Sequence, residues 1–256
     1  MKNLFKLVIS VVIIATSSSF CVAQSNPQNP NTKLLSLSEK LLYRVKTDAP
    51  VDTFQRDLAR YSVSDVVSGL PNDNAKKAFW LNIYNAYYQL LATQKHLPKA
   101  KIFATKCIQF TDTTLSLDDV EHGILRKRKW KFGLGYIPDF LPAKNTKQLA
   151  VAQVDYRIHF ALNCGAKSCP PIAFYTYDKI NIQLELATRT FLQGETEVNE
   201  ATKTVHTTKI MEWFSGDFGG AKGVKKILGT YLSKDLSAYK VKFRAYNWSE
   251  ELNNYK

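Results

Sequence analysis

The sequence predicts an α+β fold in which N-terminal helices pack on a small, mainly antiparallel sheet. Apolar residues recur at helical spacing through the first part of the chain, whereas the later part holds several short apolar segments of strand length. Aromatic residues make up 12% of the chain and charged residues 22%, so it has ample material for a core and lacks the composition of a disordered protein.

The amino terminus predicts a secretory signal peptide spanning residues 1–23. A basic start precedes an apolar stretch from Leu7 to Ala15, which is shorter than the roughly 20 residues that a membrane-spanning helix needs. Cys21 and Ala23 are small residues at the two positions that a signal peptidase inspects, so we expect cleavage before Gln24 and export to the periplasm or the medium. A lipoprotein anchored through Cys21 is the alternative.

After cleavage, residues 24–33 form a predicted polar tether and residues 34–256 a single predicted globular domain, with no transmembrane segment. Of the 35 Lys and Arg residues, two leave with the signal, so 33 face 22 Asp and Glu and the net charge is +11. This charge favours anionic partners, which outside the cytoplasm are polysaccharides, lipid head groups or acidic peptides rather than nucleic acid. Part of it lies in the basic run 126–131, which is either a binding patch or a solvated helix end.

Three helices are predicted at the start of the domain, over residues 34–45, 51–61 and 74–93. The third is aromatic-rich, yet Asn82, Asn85 and Gln89 form a polar stripe along one of its faces. Buried amides need hydrogen-bond partners, so this stripe either braces a neighbouring loop or lines a polar cleft.

The middle of the chain carries the candidate reactive residues. Ile108 to Thr111 predicts a short strand, and Ser116 with Asp119 predicts the capped start of a helix on which His122 and Arg126 share a face. A glycine- and proline-rich loop over residues 133–142 follows. Residues 157–164 are the best strand candidate, and alternation would place His159, Ala161 and Asn163 on one face of it.

The remaining predicted elements are helices at 180–192 and 220–232, strands at 204–206 and 239–245, and an aromatic packing segment at 211–218.

Four motifs, which together span most of the predicted mature chain, resemble those of a known family. They are Phe-Trp-Leu-Asn-Ile-Tyr-Asn (79–85), Glu-His-Gly-Ile-Leu-Arg (121–126), Arg-Ile-His-Phe-Ala-Leu-Asn-Cys (157–164) followed by Cys-Pro-Pro (169–171), and Tyr-Asn-Trp-Ser (246–249). In this order they resemble the domain-of-unknown-function 547 family, found in bacteria and as the C-terminal part of larger plant proteins. The chain departs from the family by carrying Asn247 where Asp is usual, so we assign no role to a carboxylate there. The family has no assigned function, and the resemblance therefore implies no chemistry.

A second resemblance concerns architecture alone. An aromatic-rich helix followed by a strand that begins with a histidine is similar to the arrangement of papain-like and transglutaminase-like enzymes. In those folds the start of the helix carries a nucleophilic cysteine, whereas the 74–93 helix of this chain has none. If the fold is shared, the nucleophile has moved or has been lost.

The residue types suit a thiol-dependent hydrolase or acyl transferase. In this hypothesis Cys169 or Cys164 attacks an amide or ester, and His159 or His122 takes the proton. Cys169 is the better nucleophile, because five residues separate His159 from Cys164 and would place them on opposite faces of a strand. Glu121 completes the catalytic set, although neighbours on a helix diverge, so His122 would be oriented through another partner. The predicted substrate-binding residues are Asn82, Asn85, Arg126 and Arg157.

Two alternatives compete with a catalytic thiol. Cleavage leaves three cysteines, an odd number, so a disulfide between Cys164 and Cys169 would leave Cys107 as the unpaired thiol. The protein would then be a non-catalytic cell-envelope domain that binds a small-molecule, peptide or envelope ligand, expected to be anionic. We expect no cofactor; the alternative is zinc, held tetrahedrally by the two loop cysteines with His122 and His159.

Overall fold

A computed structural model of the protein describes residues 29–256. The predicted signal peptide and the first part of the predicted tether lie outside the described residues. Within them, no helix is both long enough and apolar enough to cross a membrane.

Helices dominate the first part of the domain, as predicted. The helices are α1 (Thr32–Lys46), α2 (Asp52–Ala59), α3 (Val63–Gly69), α4 (Asp73–Gln89), α5 (Lys99–Ile102), α6 (Thr146–Leu149), α7 (Ile180–Glu195), α8 (Ile210–Trp213) and α9 (Gly220–Leu232). Helix α1 begins where Asn31 accepts hydrogen bonds from the backbone N–H groups of Lys33 and Leu34. Helix α4 starts in the same way at Asn72, whose side chain accepts from the N–H of Ala75. The helix prediction over residues 74–93 is confirmed, because α4 continues into a π-helical turn at Leu90–Gln94.

Helix α4 is the centre of the domain. It packs along α1, and the side chains between Ala75 and Gln89 are buried with the exception of the partly exposed Lys76. A helix that is buried all round needs apolar residues on every face, which explains its run of aromatic residues. Its buried amides are the exceptions that require partners.

Between residues 29 and 256, the strands form two small sheets. They are β1 (Ile108–Gln109), β2 (Thr114–Leu115), β3 (Glu197–Asn199), β4 (Thr204–Thr207) and β5 (Lys240–Phe243). β1 and β2 pair antiparallel, and β4 lies between an antiparallel β3 and a parallel β5. The α+β class is therefore confirmed. The N-terminal helices share a core with the two-stranded sheet, whereas the three-stranded sheet packs with α7 and α9 in a second apolar cluster.

The strand predicted over residues 157–164 is wrong. The chain forms a 3₁₀ helix at Tyr156–Phe160 and then runs irregularly through the interior. Asp155 initiates the 3₁₀ turn by accepting hydrogen bonds from the backbone N–H and the side chain of Arg157. Such local side-chain bonds compete with a sheet ladder. His159 and Cys164 therefore do not lie on opposite faces of a strand.

Candidate functional site

A pocket of about 390 Å³ lies where segments distant in the sequence converge. Its lining comes from α4, the helical turn around residue 121, the loops at 131–134 and 162–170, helix α8 and the C-terminal segment. The predicted catalytic residues Glu121, His122, His159, Cys164 and Cys169 all line this pocket. Aromatic side chains supply most of the remaining wall, namely Tyr84, Phe103, Phe132, Trp213, Phe214, Tyr246 and Trp248.

A π-helix at Asp119–Leu125 brings two consecutive residues to the pocket. The capping interaction predicted for Ser116 is present, since its side chain accepts from the N–H of Asp119 and donates to that carboxylate. On an α-helix Glu121 and His122 would diverge, as the sequence predicts. The wider π turn instead places both at the pocket, with 3.9 Å between His122 Nδ1 and Glu121 Oε1. Single π turns are frequent at functional sites.

Behind the pocket wall, Asp217 joins two charged or polar side chains. Its Oδ2 atom accepts a hydrogen bond of 2.9 Å from His159 Nε2 and one of 2.6 Å from Arg126 Nε. Arg126 in turn donates from Nη1 to His122 Nδ1 at 2.8 Å. The shared helix face predicted for His122 and Arg126 thus becomes a direct contact, and one buried network links both histidines.

The network fixes the protonation of the two histidines. Burial lowers the pKa of His159 and outweighs the opposing effect of Asp217, so the ring is neutral near pH 7. Because an ionised carboxylate only accepts hydrogen bonds, Nε2 of His159 carries the proton and Nδ1 keeps its lone pair. Burial also lowers the pKa of His122, whose Nδ1 accepts from Arg126 and is therefore unprotonated.

The carboxylates of the site are ionised. Burial alone would raise the pKa of Glu121, but the positive charge of Arg126 and the hydrogen bond that the Tyr84 hydroxyl donates at 3.1 Å lower it below its usual value. Burial likewise opposes the ionisation of Asp217, and its partners His159 and Arg126 again lower the pKa.

Cys164 and Cys169 form a disulfide that lines the pocket. The hydroxyl of Tyr246 lies 3.1 Å from the sulfur of Cys164 and 3.0 Å from that of Cys169. Cys107 lies elsewhere as a partly buried free thiol, and burial raises its pKa to about 12. In this oxidised state neither of the loop sulfurs is a nucleophile.

The amides of the α4 stripe brace the backbone and do not line the pocket. Asn82 donates to the carbonyl of Tyr175 at 2.7 Å and accepts from its N–H at 3.0 Å. Asn85 makes the same kind of pair with Ala161 O and Asn163 N, both at 3.0 Å. These irregular segments have no sheet partner, and the amides satisfy their buried polar groups. Of the two predicted roles, the structure therefore shows bracing.

The two predicted substrate-binding arginines also lie away from the pocket surface. Arg126 is fully buried and is held by Asp217 and His122. Arg157 pairs with Asp155 at 2.7 Å and donates to Asn181, in a different part of the domain. Arg126 therefore contacts His122 directly and His159 only through Asp217, and Arg157 has a local structural contact.

Several side chains of the site were not predicted from the sequence. Asp217 is the most important of them, because it holds His159, and its only signal was an acidic residue among the aromatic and glycine residues of 213–220. Trp213, Tyr246 and Trp248 pack against one another with ring centroids 4.6–5.5 Å apart. The motif at 246–249 supplied two of these rings without indicating what they contact.

Among the described residues, no three or more His, Cys, Asp and Glu side chains are grouped so that they could hold a metal ion. The disulfide also takes up both sulfurs that the zinc alternative requires as thiolates.

The chain matches the model of one protein family. The model of a family described as "Protein of unknown function, DUF547" matches residues 67–192, which include the first three of the four motifs. No curated protein and no solved structure matches the chain, so the architectural resemblance to papain-like and transglutaminase-like enzymes has no support from a structural neighbour. The chain belongs to the DUF547 family of proteins of unknown function.

Proposed function

We propose that the protein is an exported ligand-binding domain whose pocket takes a small, mainly apolar or aromatic molecule that donates a hydrogen bond. The observation that carries this proposal is the disulfide between Cys164 and Cys169 in the wall of the pocket that also holds His122 and His159. Joining the two sulfurs removes the thiolate that a thiol-dependent hydrolase would need, while it leaves the aromatic pocket and the two neutral histidines intact.

The charge of the pocket disfavours an anionic ligand. Glu121 is ionised and lies in the wall, and Asp118 reaches the same pocket, where it is paired with Lys131 at 2.8 Å. An anion would meet these carboxylates in a partly desolvated cleft, which is unfavourable. Rings such as Trp248 offer contact area to an apolar ligand, and the lone pair of His159 can accept a proton or a hydrogen bond from it.

Two dyes that differ by one sulfonate test this proposal. N-phenyl-1-naphthylamine is neutral with an N–H donor, and 8-anilino-1-naphthalenesulfonate carries the same rings and a negative charge. We expect the neutral dye to bind more tightly, and Trp248→Ala to weaken its binding at least about fivefold through loss of an aromatic contact. Trp130→Ala is the control, because Trp130 is also partly exposed but does not line the pocket. Equal binding of both dyes, or no difference between the two variants, would overturn the proposal.

A second candidate is the thiol hydrolase or acyl transferase, in a reduced form of the protein. It is favoured by one observation, that Cys164 is only partly buried and lines the same pocket as His159. A dithiol reductant would convert the disulfide to two thiols and itself become oxidised, and His159 Nδ1 could then take a thiol proton.

Cysteine labelling distinguishes the two candidates. In the protein without residues 1–23, we expect no rapid labelling by iodoacetamide before reduction, since Cys107 has a raised pKa and the other two cysteines are paired. The enzyme candidate requires that reduction in a Cys107→Ser background exposes one fast-reacting cysteine, and that His159→Ala slows its reaction. Labelling no faster than that of free glutathione would exclude it.

A further inference from the structure

The loop formed by residues 130–141 holds large apolar side chains in solvent. Phe132 is 71% exposed, Phe140 80% and Leu141 92%. Four more partly or largely exposed apolar residues belong to the same loop, namely Trp130, Leu134, Tyr136 and Ile137. So many large apolar side chains in one exposed segment mark an interaction surface.

The loop is held in this shape by its own backbone and by the segment that carries Asp217. Trp130 N–H donates to Ile137 O at 2.9 Å, and Asp139 N–H donates to Arg128 O at 2.7 Å. Leu134 O accepts from Gly216 N–H at 2.7 Å, which ties the loop to the site. The fold therefore presents the apolar side chains outward on a fixed frame.

Basic residues flank the apolar loop on both sides. Lys127, Arg128 and Lys129 precede it, Lys144 and Lys147 follow it, and none of these five forms an ion pair with any residue between 29 and 256. Asp139 is the one acidic residue between 127 and 147. A second copy of the chain docked through this loop would bring two such clusters of positive charge together, which disfavours a symmetric dimer.

We propose that the loop formed by residues 130–141 docks the protein on a bilayer that contains anionic phospholipid. Phe140 and Leu141 enter the acyl boundary, the rings of Trp130 and Tyr136 lie at the level of the head groups, and the flanking lysines and arginines contact the anionic head groups. Phe132 and Leu134 also line the pocket, so docking brings the mouth of the pocket to the lipid surface. An apolar ligand could then pass between bilayer and pocket without crossing water.

Co-sedimentation with vesicles tests the docking surface. We compare vesicles of phosphatidylcholine alone with vesicles that contain about 30% phosphatidylglycerol, and expect binding to the anionic vesicles that weakens as salt is added. The double variant Phe140→Ser with Leu141→Ser should bind roughly tenfold less. Ile182→Ser with Leu186→Ser is the matched control, since these side chains are 74% and 62% exposed on α7.

A second matched pair of variants tests the contribution of the basic residues to vesicle binding. Lys127→Glu with Lys144→Glu should abolish the preference for anionic vesicles, whereas Lys222→Glu with Lys226→Glu, on exposed positions of α9, should retain it. All four variants change exposed side chains, and equal thermal unfolding midpoints would verify that they fold. The proposal is overturned if the wild-type protein binds both vesicle types equally, or if either control variant loses as much binding as the variant that it matches. It is also overturned if Phe140→Ser with Leu141→Ser abolishes a dimer and leaves vesicle binding unchanged.

Discussion

Asp217 and His159 form a buried hydrogen-bonded pair, with 2.9 Å between the carboxylate and Nε2, although 58 residues separate them in the sequence. The same carboxylate neutralises Arg126, which has no solvent exposure. The pair is therefore both the orienting element of the candidate site and part of the structural interior.

Removal of the Asp217 charge is expected to destabilise the fold strongly. Asp217→Asn would leave Arg126 as a buried charge without its counter-ion, for which we expect a loss of about 3–5 kcal/mol in the free energy of unfolding. Asp57→Asn removes the surface pair of Asp57 with Arg60 and should cost no more than about 1 kcal/mol. Urea unfolding of both variants measures the difference. Similar small losses would show that the Asp217 pair is not a buried charge cluster.

Stability should fall as the pH drops below neutrality. The pKa values of His122 and His159 are lowered by burial, so the unfolded chain binds protons that the folded chain does not. This contribution is complete above the unfolded value of about 6.5 and is lost as the pH falls from there through the folded-state values. The free energy of unfolding, measured by urea titration between about pH 7.5 and pH 5, should therefore decrease towards acid.

A histidine variant checks the origin of this pH dependence. His122→Gln with His159→Gln should flatten the dependence, even though it lowers stability overall. His206→Gln, at a partly exposed strand position, should leave the slope unchanged. If the slope of the double variant matched that of the wild-type protein, other groups would have to account for the acid sensitivity.

The bracing role of Asn85 predicts a large effect from a small truncation. Asn85→Ala would leave both the carbonyl of Ala161 and the N–H of Asn163 buried without a partner, at an expected cost of about 2–4 kcal/mol. Gln148→Ala changes an exposed side chain of α6 and should alter stability by less than about 0.5 kcal/mol. Denaturant titration compares them, and a small effect at Asn85 would mean that water replaces the amide.

Two glycines should respond to alanine with opposite sign. Gly135 has a φ of +84°, and an added Cβ would lie 2.6 Å from the Asp217 carboxylate, so Gly135→Ala should destabilise the protein by at least about 1 kcal/mol. Gly194 lies within α7, and its Cβ would meet no atom within 4 Å. Gly194→Ala should therefore add roughly 0.5–1 kcal/mol. Thermal unfolding measures both changes, and destabilisation by Gly194→Ala would contradict the helix argument.

Local sequence signals predicted most of the elements correctly because the interactions that form them are local. The apolar spacing and the Asn72 cap fix α4, and the Ser116 cap fixes the start of the turn that carries His122. The strand prediction at residues 157–164 is wrong because local hydrogen bonds there favour a different element. This segment has the composition of a strand but forms a 3₁₀ turn, because Asp155 accepts a hydrogen bond from the backbone N–H of Arg157. The backbone groups of Ala161 and Asn163 that follow are then hydrogen-bonded by the side chain of Asn85 and not by a second strand.

The sequence by itself determined the family, the α+β class and the set of side chains able to do chemistry, since each depends on residue identity or on contacts within a few positions. Only the tertiary structure decided which of these side chains meet. Cys164 is joined to Cys169 in a disulfide and is not a free thiol. Asp217 contacts both Arg126 and His159, so Arg126 has a structural role in the interior and not a substrate-binding one. These choices depend on packing between segments that lie tens of residues apart, and no local pattern records them.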